Sequence, residues 1–219
     1  NRLAKSKQKK VIAEKEEQVL EILSKEDFID GFYLAGGTAL ALQIFHRKSL
    51  DLDFFTSKTF KPHQISDGLD SAFGYKVKVR GLERGTLHVK IKDSMVSFLE
   101  FKYPLLSKMQ KKVYGVKLAD IKDIAAMKLS AIHGRGSKKD FYDIYFILKK
   151  LYSFDNIVLF YKRKFSLSKE DITLLLKSLI YFENAEKEPE PILLEEANWE
   201  GVKNFLISET TKYSAKIFS

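Results

Sequence analysis

Ser49-Leu50-Asp51-Leu52-Asp53-Phe54-Phe55 alternates apolar and acidic side chains, and no other run constrains the fold of this chain as much. Successive side chains of a β-strand point to opposite faces. Leu50, Leu52 and Phe54 are therefore expected on one face and Asp51 and Asp53 on the other. Such a strand belongs in a sheet with one packed side. The two carboxylates would stand roughly 7 Å apart at Cα and repel each other unless a cation is held there.

Upstream, Phe32-Tyr33-Leu34-Ala35-Gly36-Gly37-Thr38-Ala39-Leu40 reads as strand, turn and helix. The glycine pair lets backbone N–H groups approach a phosphate closely. Oxygen-only ligands suit Mg²⁺, which takes one or two carboxylates and completes its shell with water and substrate phosphates. The two runs together imply a metal-dependent site for a nucleoside triphosphate. Each has a plainer alternative. The aspartates would also serve as the solvated face of an edge strand, and the glycines as a turn only.

The organisation reads as α+β, with a twisted mixed sheet in the first half and helices in the second. Lys7 to Ser24 is expected as a charged helix, with Val11, Ile12, Val19, Ile22 and Leu23 as its apolar side. Strands are expected at Phe32–Ala35, Leu50–Phe55, Tyr75–Arg80, Thr86–Ile91 and Met95–Phe101. Helices are expected at Thr38–Phe45 and, opened by Pro62, up to about Phe73. The helical half begins near Tyr103-Pro104, so the expected domains are 1–103 and 104–219, the second completing the active-site cleft. Asp120 is placed as the cap of a helix reaching about His133, and Ser137 starts another running through Leu151. Two or three more helices follow Asp155, interrupted at Glu188-Pro189-Glu190-Pro191.

Lys plus Arg number 38 against 29 Asp plus Glu, a formal net charge of +9 that favours a polyanionic partner such as nucleic acid. With 45% hydrophobic residues, 13% of the chain aromatic, a substantial core is available and a disordered tail is excluded. There is no cysteine, so neither disulfides nor thiolate metal sites are available. No apolar run approaches the ~20 residues that span a bilayer. Residues 1–10 are basic but lack the apolar stretch of a signal peptide. A cytoplasmic location with no membrane partner is expected. The chain begins at Asn rather than Met, so missing native residues are expected before it.

Gly36-Gly37-Thr38-Ala39-Leu40, His46-Arg47-Lys48-Ser49-Leu50-Asp51-Leu52-Asp53-Phe54 and Lys139-Asp140-Phe141-Tyr142-Asp143-Ile144-Tyr145 resemble the AbiEii/AbiGii toxin family of nucleotidyltransferases, within the DNA polymerase β-like superfamily. The superfamily pattern is a glycine turn, a helix, then paired aspartates on a strand. Here 13 residues separate Gly37 from Asp51. The resemblance covers about Phe32 to Leu148. It implies transfer of a nucleoside monophosphate from an NTP, with pyrophosphate leaving. By motif, Asp51 and Asp53 would hold Mg²⁺, or Mn²⁺ in its place. Gly36, Gly37 and Thr38 would supply donors to the phosphates, the last through its hydroxyl. Arg47 and Ser49 fall in the same nucleotide-binding runs. Lys128 matches the family's later lysine, suited to the triphosphate, and Asp143 its late acidic residue. Arg135 and Asp140 lie in the matching runs without a fixed role. The resemblance further implies a toxin of a toxin–antitoxin or abortive-infection system, with an antitoxin protein as partner and RNA, above all the tRNA 3′ end, as acceptor.

The third aspartate that many polymerase β-like enzymes carry on a later strand is missing. Glu100 is the only carboxylate of Met95–Phe101, so either it replaces that aspartate or the base is absent. The downstream residues also have structural readings. Lys128 sits within the apolar stripe Ile121, Ile124, Ala125 and Ile132, where it must snorkel or meet an anion. Asp140 fits a Ser-x-x-Asp capping box with Ser137, and Asp143 a helical ion pair with Lys139. The four histidines show no metal-ligand spacing and receive no catalytic task. Beside RNA nucleotidylation stand two other hypotheses: transfer to a protein hydroxyl, and a catalytically silent module that binds nucleic acid or an antitoxin.

Overall fold

The structure, a computed structural model, describes residues 11–109 and 111–218. It divides into two compact units, Asn1–Pro104 with Lys108–Asp120, and Leu105–Ser107 with Ile121–Ser219.

The first unit opens with helix α1 (Glu14–Leu23); the expected start at Lys7 lies outside the described residues. Glu16 on this helix is fully buried, a position a carboxylate tolerates only when its oxygens are occupied. One oxygen accepts the Ala13 N–H at 3.1 Å and caps the helix, and the other accepts the Ser94 hydroxyl at 2.6 Å. A 3-10 turn (Asp27–Gly31) leads to β1 (Tyr33–Ala35), α2 (Gly36–Ile44), β2 (Leu52–Thr56) and α3 (Pro62–Phe73). Then come β3 (Lys78–Glu83), β4 (Thr86–Ile91) and β5 (Ser94–Glu100).

These strands form one mixed sheet in the order β1-β2-β5-β4-β3, with β2 and β5 parallel and every other pair antiparallel. Leu52 and Phe54 of β2, Leu87, Val89 and Ile91 of β4, and Val96 and Phe98 of β5 are all buried. Phe54 and Phe98 stack with centroids 5.3 Å apart. Burial of each such ring stabilises the sheet by about 1.5–3 kcal/mol. The opposite face carries Asp53, Ser97, His88 and Lys90, which is why β2 and β4 read as alternating in the sequence.

Three details differ from expectation. Leu50 is 52% exposed rather than in the core, because β2 begins only at Leu52. β3 starts at Lys78 rather than Tyr75; the Asp70 carboxylate takes the Val77 N–H at 2.7 Å and withholds it from the ladder. The strand also runs past its expected end at Arg80 through Gly81, beside an irregularity in its register with β4. Third, a hairpin, β6 (Lys112–Val113) and β7 (Val116–Lys117), occupies a stretch expected to be helical. Its two-residue strands are too short for periodicity to show. Beyond it, Ala119 N–H bonds the Leu34 carbonyl at 2.9 Å, tying this stretch to β1.

The second unit holds α4 (Ile121–Gly134), α5 (Lys138–Lys150), α6 (Phe154–Phe165), α7 (Lys169–Ser178), the short α8 (Glu183–Glu186) and α9 (Trp199–Phe218). Ile124, Leu129, Phe141, Ile144, Ile147, Val158, Leu175, Val202 and Leu206 are among its buried residues, and Phe141, Phe182 and Trp199 form an aromatic cluster. Among the described residues no helix is long and apolar enough to cross a membrane.

Candidate active site

β1 runs straight into α2 through Gly36, whose φ of +69° is a left-handed conformation that glycine adopts without steric cost. Ala35 pairs with Asp53 across the sheet, so the turn lies directly beside β2. A Cβ on Gly36 would stand 3.1 Å from Asp53 Oδ2. One on Gly37 would stand 2.3 Å from Arg47 Nη2 and 3.4 Å from Ser49 Oγ. The backbone conformation calls for glycine at Gly36, and at Gly37 a Cβ would displace the Arg47 guanidinium.

Arg47 is buried, with Nη1 donating to the Lys48 carbonyl at 2.9 Å. It sets a positive charge beneath the glycine turn. Thr38 is also buried, which departs from its expected role. Its hydroxyl donates to the Asp51 carbonyl and lies 2.8 Å from Ser49 Oγ. Thr38 therefore fixes the backbone that carries Asp51. Asp51 is exposed just ahead of β2, and Asp53 is half-buried within it.

Glu100 does not join this group. It is in register with Thr56, three residues beyond the Asp53–Ser97 pair, and an odd offset puts it on the other face of the sheet. Its carboxylate meets Lys102 at 3.0 Å and Thr59 at 3.3 Å, and the Lys102 hydrogen bond holds it below the usual carboxylate range. The residue beside Asp53 on β5 is Ser97, whose Oγ lies 3.0 Å from His88 Nδ1 on β4. Sequence reasoning missed both, and only the strand register could have found them. Among the described residues no three His, Asp or Glu side chains converge as a metal-binding group.

In the second unit Lys128, Arg135, Asp140 and Asp143 come together. Lys128 is buried, with Nζ 2.6 Å from Asp140 Oδ1 and 2.5 Å from Asp143 Oδ2. Arg135 places Nε and Nη2 each 2.9 Å from Asp140 Oδ2. The sequence arranges this simply. Asp140 and Asp143 lie three apart on α5 and so share a face, and α4 packs against α5 across a turn in which Gly136 has φ +63°. Burial alone would raise the Asp140 carboxyl; the charges of Lys128 and Arg135 overcome that and hold it below its ordinary value. The anion that the buried lysine needs is thus supplied by the protein itself. Asp140 does not form the expected capping box with Ser137, because Glu188 has taken the position. Glu188 accepts the Ser137 hydroxyl at 2.7 Å and the Lys138 N–H at 2.9 Å.

A second buried pair, Asp123 and Lys164 at 2.6 Å, was not anticipated. The Asp123 carboxylate also accepts the N–H groups of Leu106 and Ser107, which fixes that segment to α4.

A mixed sheet with a glycine turn laid against paired aspartates, followed by a helical unit, is the architecture of a nucleotidyltransferase. Comparison with known proteins agrees. The family model described as nucleotidyl transferase AbiEii toxin, type IV toxin–antitoxin system, matches residues 18–111 and 96–217. The chain belongs to this AbiEii nucleotidyltransferase toxin family, and it is an enzyme of that class. The Aquifex aeolicus (strain VF5) protein aq_aa25, itself described as uncharacterized, is 36% identical over 211 residues, covering 92% of this chain and 97% of its own length. In three dimensions the chain is similar to MenT4, a nucleotidyltransferase toxin of Mycobacterium tuberculosis H37Rv, with a TM-score of 0.63 at 15% identity over 91% of this chain and 81% of that one. At that identity the likeness speaks for the fold alone.

Proposed function

We propose that this nucleotidyltransferase moves a nucleoside monophosphate from an NTP to a hydroxyl of RNA, the tRNA 3′ end being the favoured acceptor, and that it does so as the toxin of its system. The observation that carries the reading is the glycine turn, which leaves no room for a side chain between its backbone and the pair Asp53 and Arg47. A half-buried glycine backbone beside a buried guanidinium suits the phosphates of a nucleotide.

Asp51 and Asp53 fit a divalent cation: two carboxylates, one exposed and one half-buried, are what Mg²⁺ uses when water and substrate phosphates fill its other positions. Mn²⁺ takes the same oxygen donors. When bound, the cation polarises the α-phosphate and neutralises the leaving pyrophosphate. Thr38 keeps Asp51 in place through the backbone, and Ser49 steadies Thr38. The roles assigned to Lys128, toward the triphosphate, and Asp143, orienting that lysine, rest on family resemblance. Their tight ion pair supports a fixed ammonium at that position.

The net charge of +9 favours RNA over a protein acceptor. Incubation with each labelled NTP, Mg²⁺ and total RNA tests this directly. Label in RNA is expected. Label in protein would replace the acceptor, and no label with any NTP would reject the reading.

A further inference from the structure

The second unit contains a cavity of about 310 Å³ lined in part by His133, Arg135, Lys177, Ser178, Tyr181 and Asn184. Only Arg135 among them is a residue that the family resemblance singles out. The volume is at the lower end for small-ligand sites, which run from roughly 300 Å³ upward.

The lining is built rather than incidental. Ser178 Oγ lies 3.0 Å from the Leu174 carbonyl and 2.9 Å from His133 Nδ1; with its hydroxyl hydrogen on the carbonyl, it accepts from Nδ1. The neutral imidazole then carries its hydrogen on Nδ1 and offers Nε2 as an acceptor. Asn184 Nδ2 donates to the Arg135 carbonyl at 3.3 Å, which leaves Oδ1 as a second acceptor. The Tyr181 ring is 56% exposed, yet its hydroxyl is anchored on Glu183, so an aromatic face is held open to solvent. Two cations complete the lining. Asp140 fixes the Arg135 guanidinium through two nitrogens, although the side chain is 60% exposed. Lys177 is exposed and has no carboxylate partner among the described residues.

A fixed ring, two acceptors and two cations are the complement of one nucleotide. The ring stacks a base, the acceptors receive an exocyclic amine, and the cations meet backbone phosphate. We propose that this cavity binds a nucleotide of single-stranded RNA, with the base on Tyr181 and its phosphate at Lys177 and Arg135. The inference rests on the RNA-acceptor reading and adds to it the surface of the second unit that holds the acceptor. The acceptors His133 Nε2 and Asn184 Oδ1 favour adenine or cytosine over uracil.

The test is fluorescence anisotropy of labelled oligoadenylate and oligouridylate on the full chain, repeated with Tyr181→Ala, Tyr181→Phe and Lys177→Ala. Both positions are at the surface, and melting temperatures check that the fold is kept. Tyr181→Ala should weaken oligoadenylate binding about tenfold, while Tyr181→Phe stays within about twofold of the parent. Lys177→Ala should lower the slope of log affinity against log salt by about 0.7. Oligoadenylate should bind more tightly than oligouridylate. Unchanged binding in both alanine variants would overturn the assignment, and so would competition by free AMP as effective as the oligonucleotide, since the cavity would then serve a mononucleotide. Should the wild type label RNA while these variants bind normally, the cavity fails and the acceptor reading stands. Should the variants lose binding while label enters protein, the cavity stands and the acceptor reading fails.

Discussion

Lys128→Met removes one ammonium and leaves a methylene stem of similar length, so its effects isolate the charge. In the folded protein Nζ bridges Asp140 at 2.6 Å and Asp143 at 2.5 Å, with all three side chains buried. Breaking a buried ion pair from one side costs about 3–5 kcal/mol, because the remaining charge keeps its desolvation penalty. Arg135 still holds Asp140 Oδ2 at 2.9 Å and limits the damage there, so most of the loss falls on Asp143. For a chain of this length each kcal/mol moves the melting temperature by roughly 2–4 °C, which gives a drop of about 6–20 °C. The sign with pH follows from Asp140. Its carboxyl lies below its ordinary value in the folded state, so its contribution is present above the unfolded pKa and is lost as pH falls through the folded one. Without Lys128, burial pulls that carboxyl upward and the folded variant takes up protons more readily. The gap between parent and variant should therefore be widest near pH 7.5 and narrow toward pH 4. Urea titrations at several pH values measure this, and Lys128→Met combined with Asp143→Asn should recover part of the loss. A deficit under about 1 kcal/mol that does not change with pH would refute the buried cluster. Single-turnover transfer well below the melting temperature then reports whether the lysine also serves the nucleotide.

Asp51→Asn and Asp53→Asn should each abolish transfer with the melting temperature unchanged or slightly raised, since like-charge repulsion is relieved; calorimetric Mg²⁺ binding with NTP present should weaken in both. Full activity in either would remove it from the metal site. Gly36→Ala should cost about 1 kcal/mol in stability through its positive φ, and transfer should fall by more than that loss explains because the methyl presses on Asp53. Glu100→Gln should leave the single-turnover rate within about threefold of the parent, and a loss of 100-fold or more would restore it as a catalytic carboxylate.

The sheet was legible where one face is packed and the other is polar, because a period of two survives in the sequence. β2 and β4 are such strands. The errors occur where a side chain intercepts a backbone group. Thr38 takes the Asp51 carbonyl, and β2 starts one residue later, leaving Leu50 outside. Asp70 takes the Val77 N–H, and β3 starts at Lys78. Neither capture is visible locally, since the partners are 13 and 7 residues apart. Within the candidate site, the glycines and aspartates announced themselves as motifs. Ser97 and His88 did not, because they reach the Asp53 face only through strand pairing.

Ser137-x-x-Asp140 shows how magnitude settles an ambiguity that local rules leave open. The same pattern at Ser168-x-x-Asp171 closes as a capping box, Asp171 accepting the Ser168 N–H at 2.8 Å. A capping interaction is worth about 1 kcal/mol. A carboxylate that neutralises a buried lysine protects several times that. Were Asp140 to turn back toward Ser137, Lys128 would lose one of its two carboxylates to gain a cap. Glu188 removes the conflict, for it reaches the start of α5 from the Glu-Pro-Glu-Pro segment and satisfies Ser137 and Lys138. Glu190 two residues on meets Lys138 Nζ at 3.1 Å and accepts the Tyr142 hydroxyl at 2.6 Å, which holds that segment against α5. The stretch that reads as a helix break is therefore what frees Asp140 for the cations, and the Lys128 cluster depends on Glu188, which lies 51 residues beyond Ser137.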